Sequence, residues 1–243
     1  MKKFLIILVS VAALGYLVFA AVRSQQTMQD TVCSGFEVVI KDSVESEFIK
    51  PADVIQYVKK KGLYPVGKPF GEINTLAIRD SILTNKLVRK ADVYTTPRGS
   101  IVTNIYQRKP VLRVISNTKG SYYIDNNREK MPVSLNSTVY LPLATGAISD
   151  DFAQNELYDF ALFLNDNPDW DAWIEQIVVK GGEKVELIPR AGDFRIVIGE
   201  LDNYTEKLNK FSLFVEKGLN VVGWNRYNSI NLEYEGQVVC TKK

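Results

Sequence analysis

The chain has 243 residues, a formal net charge of +2, no histidine and two cysteines, and 46% of it is hydrophobic. That share is ample for a packed core and excludes wholesale disorder, while a charge so near neutral argues against a nucleic-acid footprint, which needs a concentrated basic face. The missing histidine removes the commonest general base and metal ligand, and with it a Ser-His-Asp triad, a Cys-His dyad and the usual zinc sites.

Behind Lys2 and Lys3 runs an uncharged apolar stretch, residues 4–22, of 19 residues. At about 1.5 Å per residue such a helix measures about 28 Å, close to the hydrocarbon thickness of a bilayer. Lys2 and Lys3 against the single Arg23 place the N-terminus inside by the positive-inside rule. The competing reading is a cleaved leader with Val18-Phe19-Ala20 as its cleavage site, but the run is longer than the usual apolar region of about 7–15 residues. The sequence therefore predicts residues 1–3 cytoplasmic, 4–22 as one retained transmembrane helix and 23–35 as a polar linker. Everything beyond would fold outside the cytoplasm. In an oxidising compartment Cys33 and Cys240 could pair, but with one just beyond the apolar run and the other at the chain's end, two free thiols are the favoured expectation.

After the linker, the β-branched stretch 36–41 predicts a strand. Pro51 suits the first turn of a helix whose apolar stripe is Val54, Ile55 and Val58 and which Gly62 ends. Asn74 caps a second helix, in which Leu76, Ile78, Ile82 and Leu83 predict a broad buried face. Strands follow at 88–94 and 100–107, joined by Thr96-Pro97-Arg98-Gly99. Strand, helix, helix, strand, strand is a small sheet with two helices on one face.

From Pro110 the pattern is mostly strands. Predicted strands 111–116 and 121–124 flank Thr118-Lys119-Gly120, and residues 141–146 read as a loop. Ser149 caps a helix with Asp150 and Asp151 in its first turn and Ala153, Leu157, Phe160, Ala161 and Leu164 as its stripe. Strands at 173–180, 184–189 and 194–198 turn at Gly181-Gly182 and at Ala191-Gly192-Asp193. Asn203 with Glu206 reads as a capping box opening a helix with stripe Tyr204, Leu208, Phe211 and Val215 and a C-cap at Gly218. Ile230, Leu232 and Tyr234 alternate with Asn231 and Glu233, and Gln237-Val238-Val239-Cys240 makes a last short strand.

Several stretches follow in a characteristic order: Phe36-Glu37-Val38-Val39-Ile40, then Leu87-Val88-Arg89-Lys90-Ala91-Asp92-Val93, then Ile105-Tyr106-Gln107-Arg108-Lys109-Pro110-Val111. After them come Tyr123-Ile124-Asp125, Leu141-Pro142-Leu143-Ala144-Thr145-Gly146, Ile198-Gly199 with Lys207-Leu208, and Ile230-Asn231-Leu232-Glu233-Tyr234 with Val238-Val239. In this order and spacing the chain resembles the bacterial cell-division family FtsQ, also called DivIB. The resemblance implies an α+β protein: one N-terminal transmembrane helix, a POTRA-like β-α-α-β-β domain over 36–109, and a mostly antiparallel β domain with two or more helices over 110–243. It implies a non-catalytic divisome scaffold of the inner membrane, enriched at the septum, that binds FtsB and FtsL-like bitopic proteins through its C-terminal region. Other septal synthesis proteins would meet the POTRA-like domain.

The family's contact tyrosine corresponds to Tyr234. The expected partner site is Tyr234 with Gln237, Val238, Val239 and Cys240, docking by strand addition. No cofactor or metal is expected. Asp150-Asp151 and the Asp166, Asp169, Asp171 group are the only carboxylate sets that could suggest hydrolysis; capping and a turn around Trp170 account for them. Trp170, Trp173 and Trp224 read as core or interface residues rather than sugar platforms. The alternatives are an envelope-anchored peptidoglycan-modifying enzyme and an envelope sensor or secretion adaptor.

Overall fold

The computed structural model describes residues 11–19, 29–42, 47–134, 136, 137 and 139–243. Of the predicted span, residues 4–10 and 20–22 lie outside the described residues, as do 1–3 and the linker residues 23–28. Residues 11–19 form a helix (α1) whose large apolar side chains, from Val11 to Phe19, are 58–70% exposed. Among the described residues no helix is long and apolar enough to cross a membrane. The chain divides into two compact units, one ending at Gln107 and one spanning Arg108–Lys243.

The first unit opens earlier than the predicted linker allows. Cys33 is 1% exposed; its N–H donates to the Lys68 carbonyl and its carbonyl accepts from Gly67, both at 2.9 Å. A small apolar side chain with both backbone groups paired belongs to a fold, not to a tether. Next come β1 (Gly35–Ile40), α2 (Pro51–Lys60), α3 (Thr75–Leu83), β2 (Val88–Thr95) and β3 (Ser100–Gln107). β3 is central, parallel to β1 and antiparallel to β2. Its alternate residues Ile101, Thr103, Ile105 and Gln107 are buried, as are Val54 and Val58 of α2. Pro51 sits in the first turn of α2 and Asn74 Oδ1 accepts from Ala77 N at 2.9 Å, as the capping chemistry requires. α3 departs from expectation. It buries Ile78 and Ile82 only, and leaves Leu76 60% and Leu83 39% exposed. A helix laid on a three-stranded sheet hides a narrow stripe.

The second unit is a nine-stranded sheet in the order β12-β11-β10-β9-β8-β7-β4-β5-β6. Its strands are β4 (Pro110–Ser116), β5 (Gly120–Asp125), β6 (Lys130–Pro132), β7 (Leu143–Gly146), β8 (Ile174–Val179), β9 (Val185–Pro189), β10 (Arg195–Gly199), β11 (Tyr227–Asn231) and β12 (Val239–Lys242). Five of its eight neighbouring pairs are antiparallel. The predicted loop 141–146 is corrected here: Leu143–Gly146 is a strand inserted parallel between β4 and β8. Pro142 masks it in the sequence, yet Ala144 is fully buried. Gly146 ends β7 at φ +116°, and a Cβ there would stand 2.1 Å from the Val179 carbonyl oxygen; only glycine permits that approach.

One face of this sheet carries α4 (Asp150–Gln154), α5 (Glu156–Asp166), α6 (Pro168–Trp173) and α7 (Tyr204–Phe214). Ser149 caps α4 through Phe152 N at 3.1 Å, and the predicted stripe from Ala153 to Leu164 is buried. The one helix predicted from Ser149 is two, broken at Asn155 (φ −116°, ψ −97°), and three further features differ from expectation. The stretch around Trp170 is helix rather than turn, with Pro168 in its first turn, so the strand begins at Ile174. Asn203 takes a left-handed conformation (φ 46°) and its side chain makes no capping bond. Gly218 does not end the last helix: a π turn over Val215–Leu219 and a short α8 (Asn220–Val222) carry it on to Gly223. That extra turn buries Leu219 completely.

Arg108 joins the start of β4 to the end of β5. Its Nε donates to Asp125 Oδ2 at 2.7 Å, with the two side chains 9% and 0% exposed. Asp125 also accepts from the backbone of Asn127 and Glu129, both at 2.9 Å. Removing Asp125 breaks a buried, charge-assisted network and leaves Arg108 with its longer contact to Glu129 at 3.4 Å, at a cost of about 3 kcal/mol. Asp125→Ala is therefore expected to lower the unfolding free energy of the second unit by about that amount, read from urea titration.

Candidate functional site

Among the described residues β12 is the last strand of the sheet, and its one sheet neighbour is β11. Ile230 faces Cys240 and Asn231 faces Val239 across this antiparallel pair. Opposed residues share a face, so Cys240, with Val238, packs toward the core while Val239 is 43% exposed on the other side. A strand so placed presents one row of backbone N–H and C=O groups to whatever lies beyond it. Its side chains are exposed at every position except Cys240.

The connection into β12, residues 232–238, is longer than a tight hairpin and turns at Gly236, φ +68°. Its buried anchor is Leu232. From α7, Lys210 Nζ donates to the Leu232 carbonyl at 3.0 Å and to the Tyr234 carbonyl at 2.6 Å. One ammonium thus fixes the backbone on both sides of Glu233. Glu233 N–H donates to Asn231 Oδ1 at 2.8 Å, and Lys184 reaches both Glu200 at 3.1 Å and Glu233 at 3.5 Å. Glu233 also presses on Gly199, where a Cβ would stand 2.3 Å from its Oε1. Held in this way, Tyr234 is 51% exposed. Lys243 closes the far end of β12 on Asp193 at 2.7 Å.

The predicted site residues fall in two places. Val239 and Cys240 lie in β12, whereas Gln237 and Val238 lie in the connection before it. The strand is Val239–Lys242, shifted toward the C-terminus from the predicted 237–240. The reason is register: after the Gly236 turn the chain needs two more residues before Val239 comes opposite Asn231. Lys210, Thr241 and Lys242 escaped the sequence reading. Lys210 has no motif to mark it, since its role is set by a contact 22 positions away.

Of the carboxylates weighed for hydrolysis, Asp150 and Asp151 serve structural roles. Asp150 pairs with Lys130, whose hydrogen bond holds its carboxyl below the usual range, the opposite of what a general acid requires. Asp151 accepts from Asn155 Nδ2 at 3.1 Å. Among the described residues no group of three or more Cys, Asp or Glu is placed to hold a metal ion. Both cysteines are free thiols, Cys33 buried and Cys240 partly so.

A family model described as FtsQ/DivIB, C-terminal related, matches residues 109–241, more than half of the chain. The chain belongs to the FtsQ/DivIB family. A POTRA-like domain model matches residues 31–106, ahead of the FtsQ/DivIB match. It begins inside the stretch that reads as linker and includes Cys33. No curated protein matches the chain significantly. FtsQ/DivIB and POTRA-like domains are typically scaffolding rather than catalytic, and membership places the chain among cell-division proteins. The whole β12 edge lies within or beside the FtsQ/DivIB match.

Two outcomes follow from this geometry. Lys210→Ala removes a charged donor from two carbonyls, a loss of about 1 kcal/mol at a partly exposed position. Amide exchange at residues 232–242 is expected to quicken while the rest of the sheet stays protected. Burial pushes the Cys240 thiol up, so its thiolate is scarce at neutral pH. Iodoacetamide is expected to modify it more slowly than free cysteine at pH 8, with the rate still climbing above pH 9, as followed by mass spectrometry.

Proposed function

We propose that this chain is a non-catalytic division scaffold, anchored by residues 4–22, whose extracytoplasmic units gather septal cell-wall synthesis proteins. Its partners on this reading are FtsB and FtsL-like bitopic proteins, docked by strand addition along β12 with Tyr234 at the contact. The observation that carries it is the position of β12 at the end of the sheet, with an exposed face and, among the described residues, no strand beyond it, in a unit that belongs to the FtsQ/DivIB family. Strand addition draws affinity from main-chain hydrogen bonds and specificity from alternate side chains, and exposed Tyr234 has the size and polarity of an interface anchor. The uncharged 19-residue run and the charge bias across it support the membrane anchor. The POTRA-like unit would meet further septal proteins.

Successive residues of a strand send their N–H groups to opposite sides, so proline at Val239 and proline at Cys240 together sample both. One removes an outward donor, and the other a rung to β11. Co-purification of FtsB is expected to be lost in at least one of them while the second unit still melts cooperatively. Retention of FtsB by both variants sinks the reading. Tyr234→Ala is expected to change stability by less than about 0.5 kcal/mol and to weaken partner binding by about 2 kcal/mol, roughly thirtyfold, measured by titration calorimetry.

A further inference from the structure

The helical layer of the second unit is segregated by charge. From Met131 to Val179 the sequence holds eight carboxylates and no Lys or Arg. Arg128 and Lys130 neutralise Asp159 and Asp150 from outside this stretch. Glu156, Asp166, Asp169, Asp171 and Glu175 have no ion pair among the described residues.

Set into this layer between α6 and α7 is a cleft of about 310 Å³. Trp170, Trp173 and Val215 wall it, and exposed Asp169, Ser212 and Glu216 form its rim. The walls are fixed in place. The Trp173 ring lies 5.8 Å from buried Phe211 and stacks on Trp224 at 5.5 Å, and Trp170 lies 6.4 Å from Phe211. The α7 side is shaped by the π turn over Val215–Leu219, an irregularity that recurs at functional sites. Among the described residues no Lys or Arg lines the cleft. A second cleft between α5 and the start of α7 has a similar composition: Phe163 and Tyr204, 5.1 Å apart, with Glu156 and Asp166, and with Asp159 already paired to Arg128.

An aromatic face attracts a cation placed within about 6 Å of its centre, and carboxylates on both sides of a cleft strengthen that preference while repelling anions. A neutral sugar would stack on the tryptophans without needing the acids. We propose that the cleft between α6 and α7 receives an Arg or Lys side chain from a basic polypeptide segment of a partner, with the second cleft receiving another. This surface lies on the helical face and is independent of the β12 edge.

The test uses the full chain in neutral detergent and a fluorescein-labelled Arg-Gly-Arg-Gly-Arg-Gly peptide, read by anisotropy at physiological ionic strength. Saturable binding is expected. Replacing each arginine by citrulline, which keeps the shape and removes the charge, is expected to weaken it at least tenfold. Trp170→Leu and the exposed pair Asp169→Asn with Glu216→Gln are each expected to do the same; the carboxamide pair leaves the aromatic packing intact and so separates recognition from folding. The proposal is overturned if no saturable binding is seen or if the citrulline peptide binds equally well. It is also overturned if a folded Trp170→Leu variant binds normally, which would leave only diffuse attraction to an acidic surface. Preference for an N-acetylglucosamine hexamer over the arginine peptide would make the cleft a sugar platform and overturn it as well.

Discussion

A sheet satisfies the backbone of every strand except along its two outer rims, and how those rims are finished governs what the second unit can do. At one end β6 is three residues long and closes on Pro132, which has no N–H to offer. At the other end β12 carries four residues, none of them proline, with side chains mostly exposed. One rim is thus blunted and the other kept available, and the proposed scaffold role grows from that asymmetry.

The available rim is held still by charge rather than by bulk. Lys210 grips two carbonyls of the connection, Lys184 bridges the residues that follow β10 and β11, and Lys243 fastens the last residue to Asp193. Exposed pairs of this kind contribute little stability singly. Their value is geometric: they limit the conformations that residues 232–242 would otherwise give up on docking, and a surface that is already ordered loses less entropy when a partner arrives.

Much of this was legible beforehand. The β-α-α-β-β order of the first unit, the Asn74 cap and the buried stripe from Ala153 to Leu164 follow from local rules of spacing and capping. The family was legible from the order of many weak motifs. What escaped is non-local. β7 looks like a loop because Pro142 and Gly146 flank it, and it becomes a strand only because β4 and β8 stand on either side of it. Leu76 and Leu83 look buried by spacing, but a three-stranded sheet is too narrow to cover them. The helix through Gly218 runs on because Leu219 has a core to enter. The edge strand was placed in the right region but two residues early, since register with Asn231 cannot be read from residues 237–240 alone.

The parallel join between β10 and β11 has a mechanical consequence. It rests on three opposed residue pairs, and β12 reaches the rest of the sheet through β11. Local opening is governed by how few pairings hold an element in place. Opening at those three pairs would release β11 and β12 together, so the docking rim could detach as one piece while the remainder of the sheet kept its pairings.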